Sequence, residues 1–152
     1  MSFSAVSFND PKPLFTIYAG RRPVLVTDYD LDCMITTAFE GGIQEWAGRI
    51  RTVHPSIDKK PRGVPQSTWA AAALLTDGVV FIDDDDDGCQ PNTMLTLSMC
   101  RRGFQEFIRL RTEQKELDGY IDYNGRIEMA MVDAGDASGM LQFALWGEWV
   151  YA

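Results

Sequence analysis

The chain has 152 residues, 45% of them hydrophobic, and a formal net charge of −8 at pH 7. This length and apolar content are typical of one domain with one core, and an aromatic content of 11% argues against a disordered chain. The acidic balance argues against binding a nucleic-acid polymer, because such surfaces set many Lys and Arg side chains against phosphates. A small phosphorylated ligand remains compatible with it, since one or two arginines can hold a phosphate.

The sequence gives no sign of export or of a membrane span. No apolar run approaches the ~20 residues that a membrane helix needs. The segment 1–6 lacks the basic and apolar blocks of a signal peptide. Cys33, Cys89 and Cys100 form no CxxC pair, so neither a disulfide framework nor a zinc site is indicated. We therefore expect a cytoplasmic protein with reduced thiols and no cofactor.

The first part of the chain is predicted to form strands and one helix after an irregular lead-in, residues 1–13. The predicted strands are 14–18, 24–27 and 49–53. Asp28 is expected to cap the helix, whose apolar face holds Leu31, Met34, Ile35 and Ala38. Gly41 and Gly42 are expected to end it, because glycine allows the left-handed residue that closes many helices.

The next segment is ambiguous, and the rest is clearer. Residues 69–75 contain four consecutive alanines, which favour a helix, but the turn 76–78 and the apolar run 79–82 suggest a hairpin, which is our expectation. A helix from Thr96 or Ser98 to about Glu116, a strand over 127–132 and a helix over 134–145, capped by Asp133 and ended by Gly147, complete the prediction. The sequence thus predicts a single α+β domain over residues 1–152, with a small antiparallel or mixed sheet packed against about three helices.

An acidic run partly matches a metal site. Asp83, Asp85, Asp87 and Gly88 match the first half of a calcium loop, D-x-D-x-D-G. The second half fails, because Met94 stands where the loop needs a bidentate glutamate. We therefore expect a solvated acidic turn and no metal.

No catalytic set stands out, so we expect a binding protein and not an enzyme, with no catalytic residues. His54 is the only histidine, and any Ser-His-Asp or Cys-His site would have to use it. The chain has no GxSxG elbow, no Walker loop and no GxGxxG motif. Asp and Glu are plentiful, but nothing singles out a pair for acid–base chemistry.

The arginines are the best candidates for ligand contacts. Arg49 and Arg51 share a face of their predicted strand, because side chains alternate along a strand. Arg102 and Arg109 are seven residues apart and share a helix face. Arginine suits phosphate oxygens, and aromatic planes stack on bases, but the spacing alone is more typical of a soluble surface over a core.

Two segments resemble a family of small bacteriophage proteins. Residues 35–47 are similar to that family's helix ending in TALEGG with an aromatic-rich continuation, and residues 133–151 to its C-terminal DA..AD..LQ.ALFGE.VYG segment. Between them, residues 77–82, 83–87 and 95–97 resemble a strand, an acidic turn and a helix start in the same order. The likeness covers about residues 25–152; Phe39 and the pair Ala137-Ser138 depart from it.

This family resembles the anti-Thoeris proteins, and the resemblance implies a function. A member is a phage-encoded counter-defence protein that binds a cyclic ADP-ribose isomer, sequesters it without cleavage and forms a homo-oligomer with pockets near subunit contacts. By position, the implied ligand-binding residues are Arg49, Arg51, Phe81, Asn92, Arg109 and Asp133. Phe81 would stack on a base, with Arg109 over the ring or on a phosphate. Asn92 and Asp133 would bind ribose or base edges. The alternative for Asp133, which its position before a predicted helix favours, is that it caps that helix. Arg49 or Arg51 would meet the phosphates.

A second interpretation is a protein–protein inhibitor. The net charge of −8 and the acidic run 83–87 would suit a protein that masks a basic partner by charge complementarity. A protein that sequesters its ligand without cleavage, here called a sponge, should bind cyclic ADP-ribose isomers, whereas a protein–protein inhibitor should not. A small phage enzyme is a third interpretation, and it should consume its ligand.

Overall fold

A computed structural model describes residues 3, 5, 6, 9–84 and 93–151. The strands are β1 (Pro13–Ala19), β2 (Arg22–Thr27), β3 (Ala47–Val53), β4 (Val79–Asp84) and β5 (Met94–Leu95). The α-helices are α1 (Asp28–Thr37), α2 (Gln66–Leu75), α3 (Leu97–Glu113) and α4 (Ala134–Trp146). A π-helical turn (Ala38–Gly42) extends α1, and two 3-10 turns are Leu117–Gly119 and Met129–Met131.

The prediction of an α+β domain is confirmed. The strands form two small antiparallel sheets, β1-β2 and β3-β4-β5, in place of one. The described residues contain four α-helices, one more than expected, because residues 69–75 fold as a helix. None of these helices combines the length and apolar content needed to cross a bilayer.

The expected hairpin around residues 76–78 is wrong, because the segment before the turn is α2. Alanine has the highest helix propensity, and Ala70, Ala71 and Ala73 pack fully buried in the core. The turn closes the helix when Gly78 N donates to Ala73 O at 2.7 Å. A side chain at Gly78 would collide with the Val53 and Ala73 carbonyls, so glycine lets β4 leave beside β3. The strand predicted over 79–82 is confirmed.

The residue that caps the start of α1 and the role of the glycines at its end both differ from the prediction. Thr27, not Asp28, is the cap: Thr27 Oγ1 accepts from Asp30 N at 3.3 Å, and Asp30 Oδ2 accepts from Thr27 N at 2.9 Å. The helical segment does end at Gly42, but neither Gly41 nor Gly42 has a positive φ. A Cβ on Gly42 would collide with the Ala134 carbonyl, so the glycine allows α4 to approach closely.

The core is centred on the packing of α3 against α4. Gly103 makes the crossing possible, because a Cβ there would collide with the Met140 carbonyl. Phe104, Phe107 and Ile108 fill the space beside it and are fully buried. Burying side chains of this size contributes roughly 1.5–3 kcal/mol each to folding.

The strand predicted over residues 127–132 is wrong. Only an isolated bridge joins Ile127 to Ile121, and a 3-10 turn follows at Met129–Met131. The alternating pattern instead places Ile127 and Val132 in the core from a loop.

The prediction that Asp133 caps the last helix is confirmed. Asp133 Oδ1 accepts from Asp136 N at 2.8 Å, and Gly147 ends α4 in the left-handed conformation with φ 75°. The chain then folds back on α4, where buried Gln142 Oε1 accepts from Val150 N at 2.9 Å and from Tyr151 N at 2.6 Å. The C-terminal segment is therefore part of the packed domain.

Candidate functional site

The β3-β4-β5 sheet has one face on the core and one face outward. Val80, Ile82 and Leu95 point inward and are fully buried. The opposite side, here called the outer sheet face, carries the side chains that alternate with them. The strand register places Arg51 and Val53 of β3, Val79 and Phe81 of β4 and Met94 of β5 there. The exposed Asp83 follows Phe81 by two residues on β4, and the exposed Arg49 precedes Arg51 by two residues, next to a register shift between Ala47 and Ile50. Val53 and Met94 are 42% and 41% exposed, so this face presents apolar as well as basic groups.

Arg51 and Phe81 form a stacked pair on the outer sheet face. They are directly paired in the β3–β4 register, and the Arg51 guanidinium carbon lies 4.3 Å from the centre of the Phe81 ring. Such a contact is a cation–π interaction, and it holds a long side chain flat on the ring. The exposed guanidinium plane can therefore act as the stacking surface, with Phe81 as its support.

Both arginines of this face retain their charge for a ligand. Arg49 and Arg51 are exposed, and neither forms an ion pair with a carboxylate in the part of the chain that the structure describes. Arginine offers five N–H donors in a planar fork, which suits phosphate oxygens. The outer sheet face thus combines a stacking plane with two exposed arginines that no described carboxylate pairs.

Arg109 lies elsewhere. It is on α3, with its side chain 53% exposed, and it pairs with Glu106 at 2.8 Å and Glu113 at 2.6 Å on its own helix. The hydrogen bond that Arg109 donates to Glu106, more than any other contact, raises the pKa of Arg109. No described contact joins it to Arg51 or Phe81, so a single protomer does not bring these predicted residues together.

The remaining two predicted residues are not part of this face. Asp133 uses its carboxylate to cap α4, as described above. Asn92 lies outside the described residues. Of the six predicted ligand-binding residues, the structure therefore brings Arg51 and Phe81 into contact, with Arg49 two residues from Arg51 on the same strand.

A small cleft at the start of α3 adds a basic group that the sequence prediction missed. Its volume is about 340 Å³, and it lies between residues 77–79 and the first turns of α3. Arg101 lines it, with Asp77 as the opposite charge, and Arg101 also donates to Thr16 O at 3.3 Å. The first backbone N–H groups of a helix favour anions. Thr96 and Ser98 also line the cleft, with their hydroxyls 3.2 Å apart. An arginine close behind two hydroxyl residues at a predicted helix start was the available signal.

The larger cleft, here called the α1–α2 cleft, has the opposite character. Its volume is about 650 Å³, and it lies between the N-terminal segment, the start of α1 and one side of α2. Its apolar walls include Leu14, Ile57 and Leu75. Its charged groups are the carboxylates of Asp10, Asp28 and Asp32 and the single ammonium of Lys12. Three negative charges against one positive charge disfavour phosphate groups there.

Two carboxylates of the α1–α2 cleft differ in their surroundings. Asp28 Oδ1 accepts from Lys12 N and from Tyr29 N, both at 2.8 Å. Asp32, one turn further along α1, has no hydrogen-bond or ion-pair partner among the residues the structure describes. Burial, and secondarily the charge of Asp28, raises the pKa of Asp32. Asp32 is therefore a carboxylate whose negative charge the fold does not compensate.

His54 also borders this cleft, and its ring is fixed by structural contacts. It stacks on Trp69 with ring centres 5.0 Å apart. Its Nδ1 accepts from the backbone N–H groups of Ser56 at 3.1 Å and Ile57 at 3.2 Å. This assigns the ring proton to Nε2, which lies 3.3 Å from Thr76 Oγ1. These contacts hold the turn after β3, and the Thr76 hydroxyl beside Nε2 donates to the carbonyls of Ala72 and Ala73 at the end of α2.

A buried ion pair elsewhere has a structural explanation. Arg111 of α3 donates to Asp136 of α4 at 2.7 Å, and Tyr120 donates to the same carboxylate at 3.1 Å. Asp136 also completes the capping box of α4 by accepting from Asp133 N. The cluster therefore joins the two central helices and the loop that follows α3.

The described residues hold no group of three His, Cys, Asp or Glu side chains that could bind a metal ion. Most of the acidic run considered for calcium, including Asp85 and Asp87, lies outside them, as does Cys89. Burial raises the pKa of Cys100 to about 12, so its thiol is a core group and not a nucleophile.

Comparison with known proteins gives no relative: no family model, curated protein or solved structure matches the chain.

Proposed function

We propose that the protein binds a cyclic nucleotide signal, a cyclic ADP-ribose isomer, on the outer sheet face and sequesters it without cleavage. The observation that carries this proposal is the stack of Arg51 on Phe81, in which the guanidinium carbon lies 4.3 Å from the ring centre. Arg49 is exposed two residues away on β3, and neither arginine is paired to a described carboxylate. A phosphorylated nucleotide needs a plane for its base and cations for its phosphates. The phage counter-defence role follows from the family resemblance.

The layout of this face suggests how the ligand lies. The base stacks on the guanidinium plane of Arg51, and Arg49 binds one phosphate. The cleft with Arg101 begins at Val79, two residues before Phe81 and hence about 7 Å away along β4. That separation suits a second phosphate of the same ligand, held by Arg101 and the first N–H groups of α3.

A sponge also needs an enclosed pocket. Nanomolar affinity corresponds to about −12 kcal/mol, and an open sheet face leaves half of a stacked ligand in water. We propose that a second subunit covers the ligand and contributes Arg109, which its own protomer keeps away from Phe81. Homo-oligomerisation and the predicted role of Arg109 then have one explanation.

Calorimetry with the cyclic ADP-ribose isomers, one at a time, tests the proposal. Binding that is lost in Arg51→Ala and kept in Arg62→Ala, from the exposed basic loop, supports it. Mass spectrometry of nucleotide released by denaturing the complex separates a sponge, which returns the ligand intact, from an enzyme. If no isomer gives heat at tens of micromolar protein, the protein–protein inhibitor takes the place of the sponge.

A further inference from the structure

The α1–α2 cleft is not used by the proposed nucleotide site, and its chemistry points to another ligand class. With a volume of about 650 Å³, it is the size of clefts that hold small organic molecules. Its walls are largely apolar side chains from three parts of the chain. These are Phe3, Val6, Leu14, Ile57, Ala72 and Leu75. A molecule that enters the cleft therefore needs an apolar body.

The polar groups of the cleft select the charge of that molecule. Asp28 and Asp32 are four residues apart on α1 and so share one face of the helix, and Asp10 adds a third carboxylate. Among the described residues that line the cleft, Lys12 supplies the one ammonium, and the backbone N–H of that residue donates to Asp28. His54 has both ring nitrogens engaged. The net charge of the lining groups is negative.

Asp32 is the carboxylate of the cleft whose negative charge is least compensated by the described residues. It is partly buried, it has no partner within the described residues, and the charge of Asp28 on the same helix face contributes to raising its pKa. A cation placed between the two carboxylates would replace lost hydration and relieve their repulsion. Polar atoms without a partner beside an apolar concavity are the usual arrangement of a small-molecule site.

We propose that the α1–α2 cleft binds a small organic cation, a primary amine carried on an aromatic or aliphatic body. The ammonium lies between Asp28 and Asp32, and the apolar body lies against Leu14, Ile57 and Leu75. This site is independent of the outer sheet face, because the two have opposite charge and share no lining residue. The proposal of amine binding can therefore be tested independently of the proposal of nucleotide binding.

The test uses phenethylamine as the probe, with 2-phenylethanol as the neutral analogue of the same shape and 3-phenylpropionate as the anionic one. Ligand-observed and ¹⁵N-detected NMR titrations of the full chain at pH 7 give affinity and location together. We expect saturable binding of phenethylamine, with shifts at α1, at residues 54–57 and in α2. The alcohol should bind at least about fivefold more weakly and the acid not at all, because a charged hydrogen bond is lost.

Asp32→Asn removes the charge at nearly constant shape and should weaken phenethylamine binding about fivefold or more. Asp118→Asn, the same change at an exposed position outside the cleft, is the control and should leave binding unchanged. Leu75→Ala gives a second, charge-independent check on the wall, with its fold verified by circular dichroism. No saturation by phenethylamine at 10 mM, equal binding of the alcohol, or unchanged affinity in Asp32→Asn would each overturn the proposal.

Discussion

The outer sheet face and the α1–α2 cleft are two candidate surfaces of one small acidic domain, and they are chemically opposite. The sheet face is open and carries Arg49 and Arg51 beside Phe81, whereas the cleft is concave and carries Asp28 and Asp32 beside apolar walls. Volume alone would select the cleft as the site of the main ligand. Charge selects the sheet face for a phosphorylated ligand. For an anionic ligand, the sign of the lining charges therefore identifies the binding surface better than the volume of the cavity does.

Removing both arginines of the sheet face should have the largest effect. Arg49→Ala with Arg51→Ala removes two charged contacts and the stacking plane, each worth about 1.5–3 kcal/mol, so nucleotide affinity should fall roughly a hundredfold or more. Lys59→Ala with Arg62→Ala changes the net charge equally in the exposed basic loop and is the control. Calorimetry checks both; equal losses in the two double variants would mean that only overall charge matters.

Phe81→Ala should weaken binding roughly tenfold, since base–aromatic stacking contributes about 1–3 kcal/mol per base. Part of this loss arises because the variant also removes the ring on which Arg51 stacks. Tyr123, which is 94% exposed, provides the matched control Tyr123→Ala. Nucleotide affinity that survives in Phe81→Ala while circular dichroism shows an intact fold would remove the stacking role.

Arg109→Ala should also cost roughly tenfold in affinity, as expected for one charged hydrogen bond in a closed pocket. The melting temperature should change little, because its ion pairs with Glu106 and Glu113 are exposed. A loss of nucleotide affinity in this variant would support a second subunit that covers the outer sheet face.

Mixing Phe81→Ala and Arg109→Ala, two variants that we expect to bind weakly, distinguishes a site shared between subunits from a site within one subunit. In a dimer whose sites combine Phe81 of one subunit with Arg109 of the other, a mixed dimer of Phe81→Ala and Arg109→Ala subunits holds one site with both residues intact. Binding recovered on mixing supports a site between subunits. Light scattering that shows only monomers at micromolar concentration would contradict it.

The smallest expected effect is on the cleft. The pKa of Asp32 is raised in the folded state, so its charged form disfavours folding at neutral pH, and this cost disappears as pH falls through that pKa. Asp32→Asn should therefore raise the melting temperature by about 1–2 °C at pH 7, after allowance for solvent screening, and by less at pH 4. Differential scanning calorimetry checks the difference, with Asp118→Asn as the control; a lower melting temperature at pH 7 would mean that an internal partner stabilises the Asp32 charge.

The local signals in the sequence were sufficient for most of the fold. Short apolar segments beside turn residues predicted β1, β2 and β4, alternation predicted β3, and the Asp133 cap with Gly147 predicted α4. The errors arose where tertiary packing decides. Four alanines were compatible with helix or hairpin, and the docking of α2 in the core settles the matter. Gly42 was assigned to a helix end for its backbone freedom, whereas its function is to admit the carbonyl of Ala134.

The candidate site was less predictable than the fold. Strand alternation placed Arg49 and Arg51 on one face, but nothing local indicated that Phe81 lies directly opposite Arg51, because register is a long-range property. The α1–α2 cleft escaped prediction for the same reason: Asp28 and Leu75 are far apart in sequence and meet only when α1 and α2 pack. The pairing of Arg109 with two glutamates was readable from spacing, since both are one helical turn away.

The most direct test of the central claim is to load the wild-type protein with each cyclic ADP-ribose isomer, remove free ligand, denature the complex and identify the released nucleotide by mass spectrometry. Our account predicts that one isomer is recovered intact, about one molecule per site, and that Arg49→Ala with Arg51→Ala protein releases almost none. Recovery of a cleaved product, or equal recovery from the double variant, would contradict sequestration on the outer sheet face.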